Sequence, residues 1–372
     1  MATVVVAGAL AAKPGNGGEA WVRLSWVLGL RRLGFDAWLV EELDPAGAAA
    51  GREFFERTVE RFGLGSRARL FVPAAGDEAA RAELEELAGE AGALVNVSGN
   101  LRDPQLLDRF RRRAYIDLDP GFTQIWHAQG HLGDQLDRHH RHFTVGLNLG
   151  GVDCAVPSDG FRWVPLPPPV LLDEWAPLDR RAFDRFTTVA TWRNPLGGLE
   201  AGGTTFTLKH HQLRRFGSVP RKANLPFEIA LEIHPDEAAE LERLREDGWS
   251  LVEPTAVAAD PDAFREYVRG SGAEFSVAQG VYAETRSGWV SDRTAHYLAA
   301  GRPALVQETG LPAEFRPDAG LLAFSDPDEA VAAAREVVDS YDRHAAAARA
   351  FAEATFDSDR VLARMLEALG PR

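Results

Sequence analysis

Between Ser287 and Gly310 the chain reads SGWVSDRTAHYLAAGRPALVQETG, the densest set of groups suited to hold a charged, hydroxyl-bearing ligand. Ser287 and Gly288 precede a predicted helix, and Ser291, Asp292 and Arg293 lie in or near its first turn. Free amides at a helix start, hydroxyls and a glycine that permits close approach together make an anion site. Val290, Thr294, Tyr297 and Leu298 recur at helical spacing and give that helix a buried face. Gly301 suits a left-handed C-cap, and Pro303 stops the helix. Ala304-Leu305-Val306 is a short apolar run of the kind that fills a buried parallel strand. Gln307, Glu308 and Thr309 then fall at the carboxyl end of the strand, where ligands bind in open α/β sheets.

A second set of candidates stands in the first half. A strand predicted over 113–118 runs into Asp117-Leu118-Asp119. Alternate residues of a strand share a face, so a D-x-D pair has the geometry of a metal site. The surrounding strand–helix alternation favours another reading, with Asp119 at a strand end beside the ligand. His127, His131, His139, His140 and His142 follow without H-E-x-x-H spacing. They read as a solvated helix, with His127 the one placed to line the site.

These groups need elements to position them, and strands alternate with helices along the whole chain. A strand at Thr3–Gly8 leads through a glycine-rich turn, 13–19, into a helix. Further strands are expected at 35–40, 68–72, 93–97, 113–118, 143–147 and 162–165. Leu166-Pro167-Pro168-Pro169 is a stiff extended connector. A fresh series starts with a strand at 187–193 and a glycine-rich loop at 194–205, with Lys209 in the helix after it. Strands near 227–233, 250–252, 274–278, 304–306 and 320–324 complete it. The expected class is α/β with two domains, 1–166 and 167–350, and a terminal helical segment, 351–372.

Composition sets limits on function. The 372 residues are 45% hydrophobic and 26% charged, as in a globular chain. A net charge of −14 argues against a general nucleic-acid or anionic-membrane binder, so no nucleic-acid partner is expected. Cys154 is the single cysteine, which removes intrachain disulfides and fits a reducing cytoplasm. No basic n-region precedes the first strand, and no apolar run approaches the ~18 residues of a membrane span.

The run from Gly288 through AAGRP to the acidic loop resembles the donor-binding half of GT-B glycosyltransferases, close to bacterial family-1-like and family-4-like members. The segments at 273–277 and 321–333, and DPGFTQ in the first half, support the resemblance. It implies two Rossmann-like domains with parallel sheets facing each other across a cleft, and a last helix returning to the first domain. The expected activity is transfer of a sugar from a nucleotide diphosphate, UDP or dTDP, to a small-molecule or glycan acceptor. Arg193 and Lys209 take the places that neutralise the donor diphosphate, together with Ser287, Gly288, Ser291, Asp292 and Arg293. Gln307, Glu308 and Thr309 would touch the sugar, and Gly17, Gly18 and Glu19 would border the acceptor. An inverting reaction needs a base, Asp119 first and His127 second. Neither metal nor cofactor is implied beyond the nucleotide sugar. A sugar-nucleotide epimerase of the same fold, or a non-catalytic nucleotide-sugar binding protein, are the alternatives.

Overall fold

The computed structural model describes residues 2–44, 48–73, 78–178, 182–193 and 197–370. They form two compact units: Met1–Gly146 with Pro157–Leu171 and Asp357–Arg372, and Leu147–Val156 with Leu172–Phe356.

In the first unit the strands are β1 (Thr3–Ala7), β2 (Asp36–Glu42), β3 (Ala68–Phe71), β4 (Ala93–Val97), β5 (Arg113–Asp117), β6 (Arg141–Thr144) and β7 (Trp163–Pro165). They pair in parallel in the order β3-β2-β1-β4-β5-β6-β7. Helices α1 (Gly17–Arg32), α2 (Ala48–Arg61), α3 (Glu78–Glu90), α4 (Pro104–Arg109) and α5 (Phe122–Ala128) lie between strands. Val4-Val5-Val6 is an unbroken apolar run because β1 is central and buried on both faces.

The glycine-rich turn is more ordered than its composition suggests. Gly17, Gly18 and Glu19 are the first turn of α1 rather than a flexible loop, and the Asn16 side chain caps them by accepting from the Glu19 amide. The Glu19 carboxylate is gripped by Lys13 and Arg23, whose charges outweigh its burial and hold it down at about 2. Nearby, the buried Glu41 carboxylate accepts from the consecutive amides of Leu10, Ala11 and Ala12 at 2.6–2.7 Å. The loop after β1 is thereby held from inside the protein.

The second unit repeats the design. Its strands are β8 (Phe186–Thr191), a hairpin of β9 (Glu200–Ala201) and β10 (Thr204–Thr205), β11 (Phe227–Glu232), β12 (Trp249–Val252), β13 (Ala273–Ser276), β14 (Ala304–Gln307) and β15 (Leu321–Phe324). Six of them form a parallel sheet in the order β12-β11-β8-β13-β14-β15. The helices are α6 (Lys209–Phe216), α7 (Val219–Ala223), α8 (Ala238–Glu246), α9 (Pro254–Val257), α10 (Pro261–Arg269), α11 (Gly280–Glu284), α12 (Asp292–Ala299), α13 (Pro327–Asp339) and α14 (Tyr341–Thr355). Phe186 stacks on Phe227 and Phe275 on Phe324, so aromatic pairs from four strands knit the core.

Two connections depend on tertiary contacts. Leu147–Val156, between β6 and β7, belongs to the second unit: the Leu147 and Asn148 amides donate to the Gly288 and Ser287 carbonyls at 3.2 and 3.1 Å. The last helix, α15 (Ser358–Leu369), packs on α1 within the first unit. Gly29 permits this, since a Cβ there would meet Leu362 Cδ1 at 2.5 Å. Among the described residues no helix is long and apolar enough to cross a membrane.

Candidate functional site

Helix α12 is built as its sequence predicts. Ser291 caps the start, its hydroxyl accepting from the Arg293 amide at 3.2 Å. Gly301 has φ +68, and the Gly301 and Arg302 amides donate to the Leu298 and Tyr297 carbonyls, closing a Schellman motif.

The groups before the helix are held by other parts of the chain. Ser287 is fully buried, its amide donates to Tyr282, and the Gly288 amide donates to Thr309. Gly288 has φ +73, and a Cβ there would collide with the Asn148 amide nitrogen. The 147–156 segment makes a close approach at this glycine. Ser291 caps the helix start through the Arg293 amide, and Asp292 adds negative charge to the first turn.

Arg293 is likewise structural in its contacts. It donates to Glu274 at 2.7 Å, to the Val189 carbonyl at 2.6 Å and to the Ser276 hydroxyl at 3.0 Å. It thus braces β8 against β13, and Glu274, 0% exposed, is its counter-charge. Glu274 Oε2 is buried and accepts no hydrogen bond among the described residues.

Lys209 opens α6 close to this pair. Burial, then the Arg293 charge, lower its ammonium to about 7 against the pull of Glu274. Nζ makes no hydrogen bond or ion pair among the described residues, although Glu274 is near enough to act on it. Such a cation gains from an arriving anion more than a surface lysine does. Arg193 differs: it is 61% exposed and paired with Glu237. Of the glycine-rich loop after it, Asn194–Leu196 lie outside the described residues.

A cavity of about 490 Å³ opens beside β14 and β15, lined by Thr207, His211, Gln212, Arg215, Ala283, Glu284, Arg286, Gln307, Glu308 and Ser325. Arg286 has φ +51, a left-handed conformation unusual for its type, and is tied to Asp153 at 2.8 Å. Gln307 receives the Ala278 amide and donates to Gln212, each at 3.0 Å, and the Thr309 hydroxyl donates to Trp289. Gln307 therefore shapes the wall. The sequence carries no motif for His211, Arg215, Glu284 or Arg286; only folding assembles them.

Glu308, predicted to lie at a ligand-binding strand end, also holds its own loop. One carboxylate oxygen accepts from the Gly310 and Leu311 amides, and the other pairs with Arg316 at 2.6 Å. We expect Glu308→Gln to lower stability by about 1 kcal/mol, the worth of a local side-chain cap. Turnover of a nucleotide sugar should stay within about threefold of wild type. A sharp fall in turnover with unchanged melting temperature would make Glu308 a sugar contact instead.

In the first unit, the Asp117 carboxylate is used up internally. It accepts from the Thr123 and Thr144 hydroxyls, the Gln124 side chain and the Asp119 amide. Burial pushes this carboxyl up. The D-x-D pair is thus a buried brace plus a half-buried Asp119, and no three metal-ligating side chains group together among the described residues. The histidines are not a solvated helix. Only His127 lies in α5; turns follow it, and His139 and His142 are buried. His139 lies against Asn96 and the Gln135 carbonyl, and burial takes it down to about 4. His127 Nε2 lies 3.4 Å from Asp159, while Nδ1 is buried without a partner among the described residues.

Solved structures that match along this whole chain are glycosyltransferases. One is an alpha-glucosyltransferase in complex with UDP and a 13-mer DNA: TM-score 0.66, 12% identity, 99% of each chain covered. Another is Alr3699/HepE from Anabaena with UDP-glucose: TM-score 0.61, 11% identity, 99% of each chain covered. A third is sucrose-phosphate synthase from Thermosynechococcus elongatus: TM-score 0.58, 11% identity, 99% of this chain and 98% of that one. The chain has the GT-B glycosyltransferase fold.

Residues 230–367 of this GT-B protein match the glycosyl transferase-like family model. No curated protein sequence matches the chain. The comparison corrects the expectation of no nucleic-acid partner, because a chain of this architecture was solved holding DNA. Net charge is a property of the whole molecule, whereas a DNA contact needs only a local patch, so −14 could not decide the question.

Proposed function

We propose that this GT-B protein moves a hexose from a uridine diphosphate sugar to an acceptor hydroxyl without a divalent metal. The observation that carries the reading is Lys209 at the start of α6, whose Nζ makes no hydrogen bond or ion pair among the described residues and which feels Arg293 and Glu274, the pair that joins β8 and β13. Ligands of open α/β sheets bind where the strand order reverses, which here is between those two strands. The similar structures solved with UDP and UDP-glucose support this donor class.

In transfer, the bond from sugar C1 to the diphosphate oxygen breaks and one from C1 to the acceptor oxygen forms. Lys209 meets the charge developing on the diphosphate, with Arg215 and Arg286 of the 490 Å³ cavity as further cationic groups. The acceptor proton goes to a base, and His127 is our candidate because Asp159 can hold its ring in one orientation. A cytoplasmic location fits the single cysteine.

A thermal-shift and turnover panel of UDP-glucose, dTDP-glucose and GDP-mannose tests the proposal. UDP-glucose at 100 times its Kd should stabilise the chain by about 2.7 kcal/mol. Release of UDP should depend on an added acceptor and survive EDTA. Conversion of the donor sugar with no acceptor would indicate an epimerase, and binding without turnover across acceptors a non-catalytic protein. Activity abolished by EDTA and restored by Mg²⁺ would overturn the metal-free mechanism.

A further inference from the structure

β15 is the last strand of the second unit's sheet, bonded to β14 on one side and to no strand on the other. Its sequence, Leu321-Leu322-Ala323-Phe324, has no charge and no proline, the usual guards of an exposed edge. The Ala304 amide donates to Gly320 and the Glu308 amide to Phe324, each at 2.8 Å. Alternate residues of a strand bond to opposite sides, so Leu321 and Ala323 turn their N–H and C=O groups away from β14. Those groups make no backbone hydrogen bond among the described residues.

This edge is the floor of a groove of about 560 Å³. One wall comes from the connection between β14 and β15, through Leu311, Phe315 and Pro317, with Phe315 set against the rings of Phe351 and Phe356. The other wall is α13, where the small Ala332 and Ala333 leave space between Glu329 and Glu336. The groove shares only Glu308 and Ser325 with the 490 Å³ cavity. Its charges are unbalanced. Arg316 is spent on Glu308 at 2.6 Å. Glu329 accepts the Ser325 amide, and Glu336 lies 3.6 Å from His344, whose pKa burial lowers. Neither Glu329 nor Glu336 pairs with a lysine or arginine among the described residues.

We propose that this groove docks an extended segment of another protein, which adds a strand to β15 and carries lysine or arginine among apolar residues. Main-chain bonds to Leu321 and Ala323 supply the pairing, and alternate side chains enter the groove. The basic groups meet Glu329 and Glu336, which also disfavour an acidic segment. A second copy of this chain is a poor occupant, because pairing β15 with β15 brings the same carboxylates together. Docking there is independent of sugar transfer.

NMR titration of the isotope-labelled full chain tests it with three end-blocked peptides: KVRVKV, EVEVEV, and KVRVKV methylated on every backbone nitrogen. KVRVKV should shift the Leu321 and Ala323 amides and slow their exchange with solvent. The acidic and methylated peptides should bind far more weakly. Ala323→Pro removes an outward N–H and leaves the ladder to β14 intact, so it should weaken KVRVKV roughly tenfold. Glu336→Arg should weaken it roughly fivefold, as for one exposed attraction replaced by a repulsion. Melting temperatures separate loss of binding from loss of fold, and Glu336→Arg, on the exposed side of α13, carries the test if Ala323→Pro does not fold. No shift at β15 with KVRVKV, equal binding of the acidic or methylated peptide, or unchanged binding by both folded variants would each overturn the proposal. So would sedimentation of the free chain as a dimer that Ala323→Pro abolishes, since the occupant would then be a second copy.

Discussion

Lys209→Ala should lower kcat/KM for UDP-glucose by roughly 10- to 150-fold. That is the range for a lost charge-assisted hydrogen bond of about 1.5–3 kcal/mol. The pH dependence is the sharper prediction. Free of ligand, Lys209 loses its proton at about 7, because burial and Arg293 disfavour the ammonium. A bound diphosphate favours the ammonium and raises that value. Below about 7 the lysine is charged in both states, so UDP affinity should be flat. Above it, each binding event must take up a proton, and affinity should fall by up to tenfold per pH unit until the bound-state value is reached. Calorimetry at pH 8 in buffers of different ionisation enthalpy should therefore register proton uptake on UDP binding. The uptake should vanish in Lys209→Ala. Unchanged UDP affinity in that variant, or no uptake in wild type, would remove Lys209 from the donor site.

Arg293→Ala should be among the most destabilising single changes in the second unit. It leaves Glu274, 0% exposed, without its counter-charge and strips donors from Val189 and Ser276. Breaking one side of a buried ion pair costs about 3–5 kcal/mol, a large share of the 5–15 kcal/mol typical of a whole domain. Replacing both partners, Arg293→Leu with Glu274→Leu, should recover most of that loss, since two apolar groups leave no buried charge. Urea unfolding, with amide exchange in β8 and β13 as a local probe, measures both effects. Were Arg293 instead a donor ligand, the double variant would regain stability and still lose UDP affinity beyond the change caused through Lys209. Removing the Arg293 charge should also raise the pH at which UDP binding begins to weaken, because that charge helps depress Lys209.

The division between sequence and structure follows the range of the forces involved. Alternation of strand and helix, the Ser291 cap and the Gly301 stop are set by neighbours a few residues apart, and they were legible. So was the placing of 304–309 as a buried strand with polar groups at its end. The resemblance of Ser287–Gly310 to a donor-binding half added the GT-B assignment, and the fold agrees.

What stayed hidden is which polar group meets which. Serines, amides and glycines before a helix suit a phosphate, and they equally suit another stretch of the same chain. Here the 147–156 segment takes the place at Ser287 and Gly288, a contact no local pattern announces. Arg293 and Lys209 are both cations near the start of a helix, so the sequence ranks them alike. Folding gives Arg293 three acceptors and leaves Lys209 with no hydrogen bond among the described residues. The histidines at 139 and 142 looked solvated because neighbouring residues are polar, yet packing buries both rings. By itself the sequence determined the elements and their order, because periodicity and caps act over a few residues. Only the tertiary structure decided which charges are already neutralised and which remain to bind, because that depends on partners distant along the chain.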